Sequence, residues 1–124
     1  MNQPIFQDVP QADQVLTRAL LNAAESLAMS QKGLAVVLGV SAASVSRLGR
    51  ERTVDPASKE GELALLFLRM YRSLDAIVGG NELAAQQWLR AENTHLNGVP
   101  AAMIETVTGL ANVAEYLDAM RGRL

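Results

Sequence analysis

The sequence of 124 residues has no cysteine, a single histidine (His95), and only two Phe, two Tyr and one Trp. The absence of cysteine excludes disulfides, thiolate zinc sites and cysteine nucleophiles, and one histidine excludes a multi-histidine metal site. The sequence also lacks a glycine-rich phosphate loop and a nucleophile elbow. We therefore expect a protein that is not an enzyme, with no catalytic residues and no metal or cofactor.

Long apolar segments are also missing. No run approaches the roughly 20 residues that a membrane-spanning helix needs. The N-terminal sequence MNQPIFQDVPQADQ has neither the basic region nor the apolar region of a signal peptide. The expected location is the cytoplasm, without a membrane partner.

The apolar residues, 49% of the total, are mostly leucine and alanine. These residues favour helix over strand, so the sequence predicts an all-α fold. Helical spacing and capping residues predict seven helices after a flexible tail of residues 1–12. The predicted helices run from the Asp13 cap to about Ala28, over 31–38 after Ser30, over 42–50 after Ser41, from Ser58 to Gly79, over 82–92 after Asn81, from Pro100 to about Val107, and over 110–120.

The Gly79-Gly80 pair is the best internal boundary. It separates a first unit, residues 13–78, from a second unit, residues 79–124, which is too small to bury a good core alone. The second unit must pack on the first unit, on a second copy, or on a partner. Its stripe of Leu110, Val113, Leu117 and Met120 serves as intramolecular core or as a dimer face.

Charge is unevenly distributed, although the formal net charge is only −2. Residues 29–54 contain four basic residues and one acidic residue, whereas both flanking segments are acidic. A surface of mixed charge is the simple interpretation. A basic segment within an acidic chain also suits binding to nucleic acid.

The same segment has the spacing of a helix-turn-helix motif. Ala35 is small where two helices cross, Gly39 allows the turn, and Val45 and Leu48 anchor the second helix. A plain helical hairpin is the alternative. The remaining positions of the second helix are polar, small or basic, as insertion into a major groove requires. The candidate DNA-binding residues are Gln31, Ser41, Ser44, Ser46, Arg47, Arg50 and Arg52.

Within this set, Arg47 is the candidate for base readout, because arginine donates two hydrogen bonds to guanine. Gln31 is a candidate phosphate contact at a helix start, and Arg50, Arg52 and Lys32 are candidate backbone contacts. A merely solvated side chain is the alternative for Arg52. Because each chain has few basic groups near the motif, one copy should bind DNA weakly. We therefore expect a homodimer on operator DNA.

Two segments together resemble the Xre/MbcA/ParS-type antitoxins, whose first unit is an Xre/Cro-like helix-turn-helix. The first is LAVVLGVSAASVSRL, and the second is AAQQWLRAENTHLNGVPAAMIETVTGLANVAEYLDAMRGRL. The most specific part of the resemblance is the C-terminal pattern of Ala84, Trp88-Leu89, Leu96-Asn97-Gly98, Pro100, Thr108-Gly109, Val113, Leu117 and Arg121-Gly122.

The resemblance implies a type II toxin-antitoxin system. Such antitoxins neutralise a cognate toxin, most often a RES-domain toxin that consumes NAD, and repress their own operon, often within a higher-order complex. The implied toxin contacts are Arg121, Gly122, Arg123 and Leu124, and the alternative is a frayed, solvated helix end. A stand-alone dimeric repressor, or an interaction module that does not bind DNA, remains an alternative for the whole protein.

Overall fold

The computed structural model describes residues 11–124, so most of the predicted tail, residues 1–12, lies outside the described range. Within that range the protein is all-helical and has no strand, which confirms the predicted fold class. The seven helices are α1 (Ala12–Ser26), α2 (Gln31–Leu38), α3 (Ala42–Ser46), α4 (Lys59–Ile77), α5 (Glu82–Arg90), α6 (Pro100–Met103) and α7 (Val107–Arg121).

Four predicted N-caps are confirmed by hydrogen bonds. In each case the side-chain oxygen accepts a hydrogen bond from a backbone N–H in the first turn, which would otherwise lack a partner inside the helix. These caps are Ser30 with Gly33, Ser41 with Ser44, Ser58 with Gly61 and Asn81 with Ala84.

Asp13, in contrast, is not the cap of α1. The N-cap is Gln11, whose backbone N–H donates to the side chain of Gln14, and Asp13 lies in the first turn. The carboxylate of Asp13 instead accepts a hydrogen bond of 2.5 Å from the Thr53 hydroxyl. The predicted cap was wrong because Asp13 is used to hold a loop 40 residues away.

Helix α3 is shorter than the predicted range of 42–50 and ends at Ser46. The carbonyl of Arg47 accepts hydrogen bonds from the N–H groups of Arg50, Glu51 and Arg52, which closes a loop instead of another helical turn. Gly49 sits in this loop with φ of 82°, a conformation that glycine adopts without strain. The predicted end of α3 was therefore wrong.

Helix α7 begins at Val107, before the predicted break at Thr108-Gly109. The hydroxyl of Thr106 accepts a hydrogen bond from Gly109 N–H at 3.0 Å, so this pair lies in the first turn of the helix. Gly109 lies where the backbone of Met103 comes very close. A Cβ at this position would lie 2.9 Å from Thr106 Oγ1 and would clash with the carbonyl of Met103.

The core joins both predicted units. Helix α7 packs along α4, and the predicted stripe residues Leu110, Val113 and Leu117 are buried, whereas Met120 is exposed. This confirms the intramolecular interpretation for the three buried residues. The boundary at Gly79-Gly80 stays a prediction. Among the described residues, no helix is both long and apolar enough to cross a membrane.

Candidate nucleic-acid interface and partner-binding end

Helices α2 and α3 have the packing that the helix-turn-helix spacing predicts. Ala35, Val45 and Leu48 are buried, and Gly39 ends α2 with a left-handed φ of 70°. These contacts fix α3 against α2 by its apolar side. The opposite side of α3 is therefore available to a partner such as DNA.

The candidate DNA-binding residues differ in exposure. Gln31, Ser41, Arg47 and Arg50 are exposed, and Ser44, Ser46 and Arg52 are half-buried. Several of these side chains also bond to the backbone of α3. The Ser46 hydroxyl donates to the Ala43 carbonyl at 2.7 Å, and the Arg50 guanidinium donates to the Ser46 carbonyl at 2.8 Å.

Arg52 connects α3 to α4. Its Nε donates to the Ser44 carbonyl at 2.9 Å, and its two terminal nitrogens donate to the Glu60 carboxylate at 2.9 and 2.8 Å. The hydrogen bonds to Glu60 raise the pKa of Arg52. A planar guanidinium is suited to such a bidentate pair, so Arg52 holds α3 against α4, and its phosphate contact stays a prediction.

Three basic side chains near α3 remain without an ion-pair partner among residues 11–124, namely Lys32, Arg47 and Arg50. All three are exposed. The basic segment predicted from the charge distribution therefore presents positive charge to solvent. Glu60, which holds Arg52, was not among the predicted site residues, because its role depends on a contact across a loop.

Aromatic residues stack on the surface of the second unit. The Tyr116 ring stacks with Trp88, at a centroid distance of 6.4 Å, and with His95, at 6.1 Å. Trp88 is half-buried beside the buried Leu89, and His95 is exposed. Among the described residues, no group of three His, Cys, Asp or Glu side chains is placed to hold a metal ion.

The predicted toxin contacts lie at the end of α7. Arg121 is the last residue of the helix, and Gly122 caps it with a φ of −65°. One further turn follows, in which the N–H groups of Arg123 and Leu124 donate to the carbonyls of Met120 and Arg121. All four residues from Arg121 to Leu124 are exposed, so the end of the helix is accessible.

A polar network fixes this end of α7 to α4. The Asp118 carboxylate accepts hydrogen bonds of 2.6 Å from the Ser73 hydroxyl and 2.6 Å from Arg69 Nε. The Ser73 hydroxyl, followed by the Arg69 and Arg121 guanidiniums, lowers the pKa of Asp118. Sequence reasoning missed Arg69 and Ser73, because 49 and 45 residues separate them from Asp118.

The lowered pKa of Asp118 predicts a pH-dependent contribution to stability. A depressed pKa in the folded state stabilises the fold above the unfolded value of about 4, and this contribution is lost as the pH falls through the folded pKa. We expect Asp118→Asn to lower the free energy of unfolding by about 1 kcal/mol at pH 7, since the side chain is 35% exposed and partly screened.

Urea unfolding at several pH values tests this prediction. The difference between the wild-type protein and Asp118→Asn should shrink below pH ~4. Glu115→Gln, an exposed carboxylate earlier on α7, is the control and should show no such difference. A gap between wild type and Asp118→Asn that stays constant down to pH 2 would contradict the role of the ionised carboxylate.

Two family models match the chain. Residues 7–69 match the antitoxin Xre-like helix-turn-helix domain, and residues 73–123 match the antitoxin Xre/MbcA/ParS C-terminal toxin-binding domain. A search of curated proteins gives no match. The two matched ranges meet within α4, so this helix contributes to both.

Proposed function

Because the chain belongs to the antitoxin Xre-like helix-turn-helix family and also matches an antitoxin toxin-binding domain, we propose that it neutralises a RES-domain toxin that consumes NAD. The system would be of type II, in which the antitoxin binds the toxin directly. On this proposal residues 79–124 cover the toxin, and residues 13–78 bind the operator and repress the operon. The protein itself performs no catalysis.

The exposed side of α3 is the observation that supports operator binding and repression. Arg47 stands at the end of this helix with no ion-pair partner among the described residues, and α3 is held by its buried apolar side and by Arg52. A rigid helix with an exposed arginine is the arrangement that reads guanine in a major groove. Gln31, Ser41, Ser44, Ser46 and Arg50 supply the surrounding polar contacts.

The expected DNA-binding form is a homodimer. Three exposed basic side chains near α3 neutralise few phosphates, and a single copy therefore binds weakly at physiological salt. Two copies double the number of phosphate contacts and read two half-sites.

Arg47→Ala is expected to weaken binding to the promoter fragment upstream of the gene by about 10- to 100-fold, because a bidentate contact to guanine is lost. Binding to unrelated duplex DNA should change much less. Arg72→Ala removes an exposed arginine from α4 and is the control. Fluorescence anisotropy with both duplexes measures the two affinities, and unchanged promoter affinity in Arg47→Ala would rule out α3 as the reading element.

The toxin half of the proposal is supported by the exposed end of α7. Arg121 and Arg123 place two guanidiniums at this end, beside Gly122 and Leu124. Guanidiniums pair bidentately with carboxylate groups, which are common on protein surfaces. The end of α7 therefore suits contact with acidic side chains of the toxin.

Deletion of residues 121–124 is expected to raise the antitoxin concentration needed to inhibit the toxin by about tenfold or more, because both guanidiniums are lost. NAD consumption by the purified toxin, titrated with each antitoxin, measures this. The double variant Arg121→Ala with Arg123→Ala keeps the length of the chain and should behave similarly. Unchanged inhibition by both variants would show that the toxin is blocked at another surface.

A further inference from the structure

A basic groove lies between the second half of α4 and the end of α7. Its volume is about 570 Å³. It is lined by Arg69, Arg72, Ser73, Asp118, Arg121 and Gly122.

The charges in this groove do not balance. Asp118 is hydrogen-bonded to Arg69 and to Ser73, and so its negative charge is already matched. Arg72 and Arg121 are exposed and have no ion pair with any other residue between 11 and 124. The groove therefore offers two guanidiniums, from two different helices, to a ligand of opposite charge.

The groove is remote from α3. Glu60, near the start of α4, bonds to Arg52, which also bonds to α3. Glu60 and Arg72 are twelve residues apart on α4, which corresponds to about 18 Å along a helix. A duplex bound to α3 lies at the other end of α4. The nearest predicted functional residues are instead those at the end of α7. Arg121 both lines the groove and is one of the predicted toxin contacts.

We propose that this groove binds carboxylate side chains on the surface of the toxin, with Arg72 and Arg121 as the recognising residues. The inference rests on the proposed function and adds Arg72, on α4, to the toxin-binding surface. Asp118 is a positioning residue, because its bonds to Ser73 and Arg69 hold the end of α7 against α4.

The composition of the groove favours separate carboxylates over a nucleic-acid backbone. Two available guanidiniums match one or two carboxylates bidentately. A continuous row of phosphates would also meet the Asp118 carboxylate and the carbonyl groups at the C-terminal end of α7, which carry partial negative charge. Carboxylates on a protein surface can be spaced to avoid both.

The test is charge reversal in the full-length chain. Arg72→Glu and Arg121→Glu should each weaken binding to the proposed RES-type toxin by about tenfold or more, and should reduce the salt dependence of that binding. Arg18→Glu, an exposed arginine on α1, makes the same change in net charge and should leave toxin binding unchanged. Circular dichroism checks that each variant retains its helices.

Two further probes separate the possible outcomes. A labelled octaglutamate peptide should bind the wild-type protein at low salt and should bind neither Arg72→Glu nor Arg121→Glu.

Toxin binding that is equal in wild type and Arg72→Glu would overturn the inference and leave the proposed function intact. If the RES-type protein does not bind the wild type, the proposed function fails, and the octaglutamate result alone decides whether the groove binds carboxylates. Loss of binding to unrelated duplex DNA in Arg72→Glu, with toxin binding unchanged, would assign the groove to nucleic acid and overturn the inference.

Discussion

Arg52→Lys is expected to weaken operator binding by about tenfold and to lower the free energy of unfolding by about 2 kcal/mol, although it keeps the positive charge. Lysine cannot bond to the Ser44 carbonyl and both oxygens of Glu60 at once. The pair is largely shielded, with 25% and 15% of the two side chains exposed. Loss of these bonds releases α3 from α4, and Arg47 is then held less firmly in the position that reads DNA.

Glu60→Gln separates this account from a direct phosphate contact by Arg52. The substitution removes a negative charge near the basic segment, and electrostatics alone would therefore strengthen binding to DNA. The positioning account predicts the opposite, a weakening of about tenfold, because the bidentate pair is lost.

Anisotropy with the promoter fragment and urea unfolding of the same samples measure both effects. Glu62→Gln removes an exposed carboxylate from the same turn of α4 and is the matched control. Full operator affinity in Arg52→Lys, together with increased affinity in Glu60→Gln, would contradict the positioning role. It would support the phosphate contact of Arg52 that the sequence predicts.

Gly109→Ala is expected to have the largest effect on stability, a loss of about 3 kcal/mol and of about 10 °C in Tm. The added Cβ would clash with the Met103 carbonyl and would lie 2.7 Å from its carbon atom. Because these are backbone atoms, α6 and the first turn of α7 must move apart. Leu110, the next residue, would then leave its buried position against α4.

Gly122→Ala is the matched control on the same helix. Its added Cβ would meet nothing closer than 3.5 Å, and its φ of −65° suits alanine. We expect a change within 0.5 kcal/mol of wild type. Thermal and urea unfolding of the two variants give the comparison, and equal stability of Gly109→Ala and wild type would contradict the close approach of α6 and α7.

Local signals predicted where most helices begin. Ser30, Ser58 and Asn81 cap helices because their side chains bond to N–H groups only three residues ahead. The same short range explains the helix-turn-helix prediction, in which Ala35 and Val45 pack within one small motif.

Predictions failed where distant residues decide the structure. Asp13 bonds to Thr53 instead of capping α1, and α3 ends early because the following loop folds back to place Arg52 between Ser44 and Glu60. The groove beside Asp118 depends on contacts across more than 40 residues. No periodicity or spacing in one sequence reveals such pairs, since they exist only after α4 and α7 have packed.

The central claim is that this protein neutralises a toxin by direct binding, and growth measurements test it most directly. The proposed RES-type toxin is expressed from an inducible plasmid in a host cell, with or without the full-length chain on a second plasmid. The account predicts growth arrest and loss of cellular NAD with the toxin alone, and recovery of both when the full-length chain is expressed. Persistent arrest and NAD loss, despite expression of both folded proteins, would contradict the account.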